Sequence, residues 1–476
     1  MATDTRELTR AAAPRLPRQV VQRYSVIGAG KLGSPMVAAI ASRGFEVIAA
    51  DSNPQFVARL QAGQAPVSEP GLAEMIAANR CRIRGTDSVR DAVLGSNITF
   101  VAVPTPSDAR GAFSLRYAAA AFEQIGLALA DKPGYHTVVL TSTVLPGATR
   151  YSLLPILEEY SGKRCGVDFG LCYSPEFIAL GSVIHDFLNP DFTLIGEFDQ
   201  ECGDQLERTY AGIMVNGAPA RRMTIENAEL AKIALNAFVT SKITFANMLA
   251  DLCERIPGGD VDVVSSALGL DTRIGGKYLK GGLSFGGPCF PRDNAALGFL
   301  AEALGGHPEL YRTTDTLNRT RVPDLVDRLR PFLAPGEKVA VLGLAYKAQT
   351  QVVEAAAGMQ LASSLMQLRC RVAVYDPQAS GQARQQLGPD AECAATPAAC
   401  VAGAKVVIVS VADPAYSQLR GSDFEPGAVV LDGWRLLRKQ LEHDPRVRYL
   451  AVGLAGDDRH LTERLREVWA WQPSAR

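Results

Sequence analysis

No two cysteines in this chain stand in CxxC spacing, and none pairs with histidine at metal-ligand spacing, although there are nine of them, at positions 81, 165, 172, 202, 253, 289, 370, 393 and 400. No metal site and no disulfide framework are therefore expected, and an odd, scattered set of thiols fits a reducing cytoplasm. Net charge is lacking too. Lys and Arg number 49 against 50 Asp and Glu, a balance of -1, so no global field recruits nucleic acid or an anionic membrane. No apolar run is expected to reach membrane-spanning length. Residues 1–22 contain arginines but also Asp4 and Glu7, with no apolar h-region, and read as a flexible tail rather than a secretory signal. What remains is a soluble protein of 476 residues, too long for one hydrophobic core and expected to form two or three domains.

Against that background one thiol stands out. Cys289 lies in Gly281-Gly282-Leu283-Ser284-Phe285-Gly286-Gly287-Pro288-Cys289-Phe290-Pro291-Arg292-Asp293. Glycines let backbone approach a substrate closely, and Pro291 suits the first turn of a helix running through Asn294–Leu300. A thiol just before a helix start sees the positive end of the dipole, which favours thiolate. Two readings are open on these residues alone: a nucleophile, or a structural cysteine in a Gly/Pro-rich turn.

The order of elements suggests α/β architecture. Tyr24–Ile27 reads as a strand, followed by a glycine loop, a helix to about Ser42 and a second strand at Phe45–Ala50; further strands are expected at 98–103, 137–141, 169–172 and 192–195. From Ile225 to Ile256 no proline or glycine interrupts a long helical segment, which Pro257-Gly258-Gly259 stops. Pro331 and Pro335-Gly336 mark a linker, and Lys338–Gly343 opens a second unit with strands at 372–375, 406–411 and 429–431. The expected fold is two Rossmann-like, doubly wound parallel-sheet domains joined by a long central helix. Its divisions are a tail over 1–22, a dinucleotide-binding domain over 23–216, a helical dimerisation region carrying Cys289 over 217–330, and a second Rossmann-like domain over 331–476.

Gly28-Ala29-Gly30-Lys31-Leu32-Gly33 follows the first strand and opens a helix, and Asp51 ends the next strand. Glycines permit the tight turn and close approach of a pyrophosphate to the helix N-terminus, while an acid at that distance accepts hydrogen bonds from a ribose. Asp51 would repel a 2′-phosphate, so NAD is expected rather than NADP.

These features, taken with Glu69-Pro70-Gly71-Leu72, Thr105-Pro106-Ser107, Ser142-Thr143-Val144, Ser174-Pro175-Glu176-Phe177, Ala228–Lys232, Asn236, Asp271–Gly275, Gly343–Lys347 and Asp432-Gly433-Trp434-Arg435, resemble the UDP-glucose/GDP-mannose dehydrogenase family over residues 23 to 455. The resemblance implies oxidation of a nucleotide sugar's CH2OH to a carboxylate with reduction of two NAD. It also implies roles. Cys289 is the expected nucleophile, since an aldehyde releases hydride readily only after a nucleophile adds to it. Lys232 and Asn236 lie one helical turn apart, on one face, where ammonium and amide could stabilise oxyanions. Glu176 resembles the acid/base for thioester hydrolysis, Asp293 the acid that orients water, and Thr143 the hydroxyl that positions it. Thr105 and Thr143 are expected beside the cofactor. Phe177, Leu180, Lys232, Asn236, Arg273, Tyr278, Lys280, Gly286, Lys347 and Arg435 are expected around the nucleotide sugar, cations suiting its diphosphate, with Arg273 reaching across a homodimer.

The chain departs from the family at Lys31-Leu32, Pro104, Leu180, Pro288 and Arg292, and most at Thr350–Ala357, where an acidic, polar motif has become almost apolar. Phe177 favours the UDP-glucose and GDP-mannose branches, and Asp271–Gly275 the former. Two other readings stay open: a two-electron β-hydroxyacid-type dehydrogenase, which has no use for Cys289, and a non-catalytic nucleotide-sugar binder.

Overall fold

A computed structural model describes residues 22–456 and 460–469. Apart from Gln22, the expected N-terminal tail lies outside the described residues. The first sheet contains β1 (Arg23–Ile27), β2 (Glu46–Ala50), β3 (Ile83–Thr86), β4 (Ile98–Val101), β5 (Thr137–Leu140), β6 (Gly170–Tyr173), β7 (Thr193–Glu197) and β8 (Ala220–Thr224). They lie in the order β3-β2-β1-β4-β5-β6-β7-β8. β4, β5 and β6 are buried along their length, and β1 from Tyr24 onward, because helices cover both faces of the sheet. The buried Ser25 in β1 is tolerated because its hydroxyl meets Ser96 and Thr99 at 2.9 and 2.7 Å.

The sheet is not wholly parallel as expected. β6 and β7 pair antiparallel, because the chain between them forms a loop at Ser174–Ser182 and a short helix, Val183–Leu188, on the flank of the first helix, Gly33–Ser42. The carboxylate of Glu69 organises that loop, accepting from the amides of Gly181 and Val183 at 3.1 and 2.8 Å.

A second sheet holds β9 (Lys338–Leu342), β10 (Arg371–Tyr375), β11 (Glu392–Cys393), β12 (Val406–Val409), β13 (Ala428–Asp432) and β14 (Val447–Ala451) in the order β11-β10-β9-β12-β13-β14. All its pairs are parallel. Each sheet reverses direction of winding beside the strand that precedes its glycine turn, β1 or β9, and crevices open at such places.

Between the sheets runs the central helix, Ile225–Cys253. Thr224 caps its start, accepting from the amide of Asn227. By length and composition this helix could cross a membrane, an exception to the expected absence of such a run. In the fold it packs on helices Phe290–Ala303 and Glu309–Leu329 and buries Glu229, Lys232, Asn236 and Asn247. Those are side chains of a protein interior with polar work to do, not of a lipid-facing span.

Ion pairs fasten the segment after this helix to the second sheet. Arg435, only 2% exposed at its side chain, gives all its guanidinium hydrogens to acceptors: both carboxylate oxygens of Asp262 and the carbonyls of Gly281, Gly433 and Val452. Asp260 pairs with Arg438 at 2.6 Å. Glu254 receives Arg328 at 2.6 Å and the amide of Gly453 at 2.7 Å. Arg435→Ala strands several buried acceptors at once and is expected to cost about 2–4 kcal/mol, read as an earlier urea midpoint by circular dichroism. An unchanged midpoint would mean the clamp is dispensable.

Candidate active site

The first helix begins where β1 turns, and the turn demands glycine. Gly28 has φ 96°, and a β-carbon there would strike the carbonyl of Ala102. A β-carbon on Gly33 would strike the carbonyl of Gly28, whereas nothing lies within 4 Å of one built on Gly30. The turn is thus closed against its own protein and open at Gly30, the space that the pyrophosphate of a dinucleotide needs. Exposed Lys31 and half-buried Leu32 line the same turn. Asp51 stands at the end of β2, accepting from the amides of Ala29 at 2.5 Å and Asn53 at 2.7 Å, so its carboxylate is held beside the turn. These residues fit NAD.

On the far side of β4, the Ser142 hydroxyl accepts from the amide of Val103 and donates to its carbonyl. Thr105 donates to the carbonyl of Thr143 at 2.7 Å. The two loops carrying the expected cofactor threonines are therefore one unit. Glu229, fully buried on the central helix, anchors the continuation of that unit by accepting from Gly147 and Thr149 at 2.6 and 2.9 Å.

The glycine segment before the thiol is held like a strand without neighbours. Asn247 on the central helix donates to the carbonyl of Leu283 and accepts from the amide of Gly282, at 3.1 and 2.8 Å. Asn318, on helix Glu309–Leu329, does the same to both backbone groups of Phe285, at 3.0 and 2.8 Å. Two carboxamides here replace a β-ladder. Gly286 lies against the carbonyl of Ala355 and Gly287, with φ 84°, against the Tyr346 ring. The amide of Gly287 donates to the carbonyl of Glu354 at 2.9 Å. The divergent Thr350–Ala357 segment is therefore the cover of the thiol loop, and its buried Val352, Val353 and Ala356 explain its apolar character.

Cys289 is the cap residue of helix Phe290–Ala303, with Pro291 in the first turn. The expected thiolate bias does not follow. Cys289 is solvent-accessible, yet the partial desolvation of its surroundings raises its pKa, and Asp293 adds to the rise, while Lys232 and Arg292 oppose it. A helix start offers about half a charge, less than the full charge of one neighbouring carboxylate. Burial and Asp293 together shift Cys289 toward the thiol.

Around it gather the groups named from sequence. Asn236 donates to Asp293 at 2.6 Å. Asp293 is 1% exposed, its pKa is raised by burial, and its other oxygen has no partner; Arg292 approaches that oxygen at 3.6 Å, with its own Nη1 on the carbonyl of Thr105. Lys232 donates to the backbone carbonyl of Glu176 at 2.7 Å and lies 4.6 Å from the centre of the Phe177 ring. Burial lowers its pKa, against the pull of Asp293, Cys289 and Glu176. Burial likewise lifts Glu176 to about 7, against Lys232 and a hydrogen bond from Tyr210. Thr143 and Leu180 are half-buried on the adjoining loops.

Lys347, in the turn after β9, faces Asp186 and Glu69. Arg273 does not join the groups around the thiol. Its side chain is 87% exposed and bound to Asp271 at 2.6 Å. Lys280 and Tyr278 are also exposed, Tyr278 packing edge-on to Phe290 at 5.9 Å. Arg435 corrects the sequence expectation: every donor it could offer a diphosphate is already engaged. Sequence reasoning passed over Asn247, Asn318 and Tyr210, and gave Glu229 no role beyond its place in the motif Ala228–Lys232. An asparagine inside a helix is a weak signal, and only the partner segment reveals its use.

Alkylation of Cys289 by iodoacetamide, followed by peptide mass spectrometry, tests this field. At pH 8, Asp293→Asn is expected to speed the reaction severalfold and Lys232→Ala to slow it severalfold, since a lost neighbouring charge shifts the thiolate fraction accordingly. Equal rates in both variants would remove these groups from the thiol's surroundings.

Comparison with known proteins places the whole arrangement. Residues 22–214 match the NAD binding domain of the UDP-glucose/GDP-mannose dehydrogenase family, 226–320 its central domain and 340–439 its UDP binding domain. The chain is 35% identical to the UDP-glucose 6-dehydrogenase AglM of Haloferax volcanii, over 87% of this chain and 97% of the relative. It is 33% identical to GDP-mannose 6-dehydrogenase of Azotobacter vinelandii, over 86% and 96%. Its fold is similar to that of a UDP-glucose dehydrogenase from Pyrobaculum islandicum, with a TM-score of 0.83, 35% identity, and coverage of 93% of this chain and 100% of the other. With three consecutive domain matches along one chain and a thiol cleft built between them, this protein belongs to the UDP-glucose/GDP-mannose dehydrogenase family.

Proposed function

We propose that the protein oxidises the CH2OH of UDP-glucose to the carboxylate of UDP-glucuronate in two NAD-dependent steps through a thioester on Cys289. The carrying observation is the meeting of one thiol with Lys232, Asn236 and Asp293, drawn from two packed helices. A β-hydroxyacid-type dehydrogenase needs the lysine and asparagine but not the sulfur.

NAD, when bound at the first sheet, supplies the hydride acceptor. The side chains do the rest. Lys232 and Asn236 stabilise negative charge on the C6 oxygen. Cys289 adds to the aldehyde carbon as its proton passes to the C6 oxygen, giving a thiohemiacetal from which hydride can depart. Asp293 orients water toward the thioester, with Thr143 positioning it. Glu176 takes the proton of that water, and its basic form prevails only above about pH 7, so hydrolysis is expected to rise through that pH.

Phe177 and Asp271–Gly275 support UDP-glucose; similarity to GDP-mannose 6-dehydrogenases and the altered Thr350–Ala357 cover make GDP-mannose the second reading. We take residues 23–216, 217–330 and 331–476 as the cofactor, central and nucleotide-sugar units. Nine unpaired thiols suit a reducing, cytoplasmic setting. A homodimer is supported by an exposed stripe on the central helix, Phe238 (71%), Phe245 (51%), Met248 (49%) and Leu252 (55%), since contiguous apolar surface of this kind marks an interface. Lys242, on the same helix, holds the turn beside Arg273 through the carbonyls of Ile274 and Gly275, which would aim that arginine into the partner's cleft.

UDP-glucose is expected to give two NADH per sugar, and Cys289→Ala none at a measurable rate. Turnover of GDP-mannose but not UDP-glucose would reverse the substrate, and one NADH per sugar would reject the thioester. For assembly, the double variant Phe238→Glu, Phe245→Glu is expected to elute at monomer mass by light scattering and to bind UDP-glucose at least tenfold more weakly. A monomeric parent protein would dismiss the dimer.

A further inference from the structure

Behind Glu176, away from the thiol, lies a short polar chain that the reaction as described does not use. Tyr210 belongs to helix Gln200–Ile213 and is 2% exposed, its ring packed at 6.3 Å from that of Phe100. Its hydroxyl lies 2.7 Å from the Ser174 hydroxyl and 3.4 Å from Oε1 of Glu176. Ser174 is 1% exposed and gives its own hydrogen to the carbonyl of Leu194 at 2.8 Å.

That last bond fixes the direction of the others. With its hydrogen committed to Leu194, Ser174 can only accept from Tyr210. The tyrosine has one hydrogen and two acceptors competing for it, Ser174 and Glu176. When Glu176 is a carboxylate, the hydrogen is best given to that charge, because a charged acceptor makes the stronger bond. When Glu176 carries a proton, it can donate to the tyrosine oxygen, and the tyrosine hydrogen turns to Ser174. Neither state leaves a buried donor stranded, which in a dry site would be costly.

Resting on the thioester reading above, we infer that Tyr210 is a positioning residue whose hydroxyl swings between Ser174 and Glu176 and so sets the pH at which Glu176 becomes the base for thioester hydrolysis. The other groups facing this pair are few. Lys232 faces Glu176 and favours its charged form; Cys172 faces Tyr210 from β6. Glu176 is the one acid of the loop 174–182; the carboxylates nearest that loop are already engaged, Asp293 with Asn236, Glu69 with the amides of Gly181 and Val183, and Asp186 with the amide of Ala179.

The step under control is simple. Water oxygen bonds to the thioester carbon, its proton passes to Glu176, the C–S bond breaks, and the sulfur leaves with the bonding pair as thiolate. Its rate follows the unprotonated fraction of Glu176.

Two substitutions should move that fraction in opposite directions. Tyr210→Phe keeps the ring and deletes the donor, so the carboxylate loses a stabilising bond and its pKa rises. Ser174→Ala deletes the competing acceptor, so the tyrosine donates to Glu176 throughout and the pKa falls. The measurement is decay of the Cys289 acyl adduct in the full-length enzyme after one turnover with UDP-glucose and NAD, by quenched intact mass spectrometry between pH 5.5 and 9. Tyr210→Phe is expected to slow decay about tenfold at pH 6 and to leave it unchanged at pH 9; Ser174→Ala is expected to speed it about threefold at pH 6. The initial NADH burst should stay within about twofold of the parent in both. Opposite shifts of the acid limb cannot come from a loss of packing alone, and the Ser174→Ala arm stands by itself if Tyr210→Phe does not fold. An acid limb unmoved in the folded variants, or moved the same way in both, overturns the role of Tyr210 while leaving the thioester intact. Formation of uronate with no adduct on Cys289 at any pH overturns the thioester and this inference with it.

Discussion

Charge taken out of water around one sulfur is the constraint on which the rest of this protein depends. Lys232, Asp293 and Glu176 are each pushed by burial toward their neutral forms, and each is drawn back by the charge of another. None would hold its charge alone, because an isolated buried ion is far costlier than a paired one. Reactivity therefore belongs to the group. It requires that a turn of the central helix, the first turn of helix Phe290–Ala303 and the loop after β6 be brought into contact and kept there, and most of the polar bonds described above serve that end.

The supports are themselves backbone-directed. Glu69 and Glu229 hold loops by accepting main-chain amides, and Asn247 and Asn318 hold the glycine segment by pairing with its amides and carbonyls. A segment so rich in glycine has little side-chain packing of its own and a high entropy when free. Carboxamides on both sides fix it through its backbone, and Cys289 at its end stays exposed.

The two sheets apply one local solution twice with different results. Gly28 and Gly343 take positive φ after β1 and β9, and Asp51 and Asp376 stand at the ends of β2 and β10 facing the turns. In the first sheet the turn leaves Gly30 open. In the second, Asp376 is consumed by the amides of Leu344, Ala345, Gln378 and Ala379, and the chain runs on to cover the thiol loop. Both β-glycine turns could be read in the sequence. Their different fates could not, because they depend on what packs opposite.

Taken by itself, the sequence determined the alternation of buried strands and helices, the length of the central helix and the cofactor turn with its acid, since hydrophobic period and glycine placement are local properties; the roles of the residues around Cys289 came from the family resemblance. It did not reveal β3, β8, β11 or β14, the four edge strands of the two sheets, of which β3 and β11 are short and β8 is largely polar. It also could not tell Arg435, whose donors are used up, from Lys347, which faces Asp186 and Glu69. Only the tertiary structure decided those matters, along with the burial that raises the Cys289 pKa and the meeting of Tyr210 with Ser174 and Glu176. Each depends on desolvation and on at least one partner brought in from a distant segment, Lys232 for Cys289, Asp262 for Arg435 and Ser174 for Tyr210, and the neighbouring sequence shows neither.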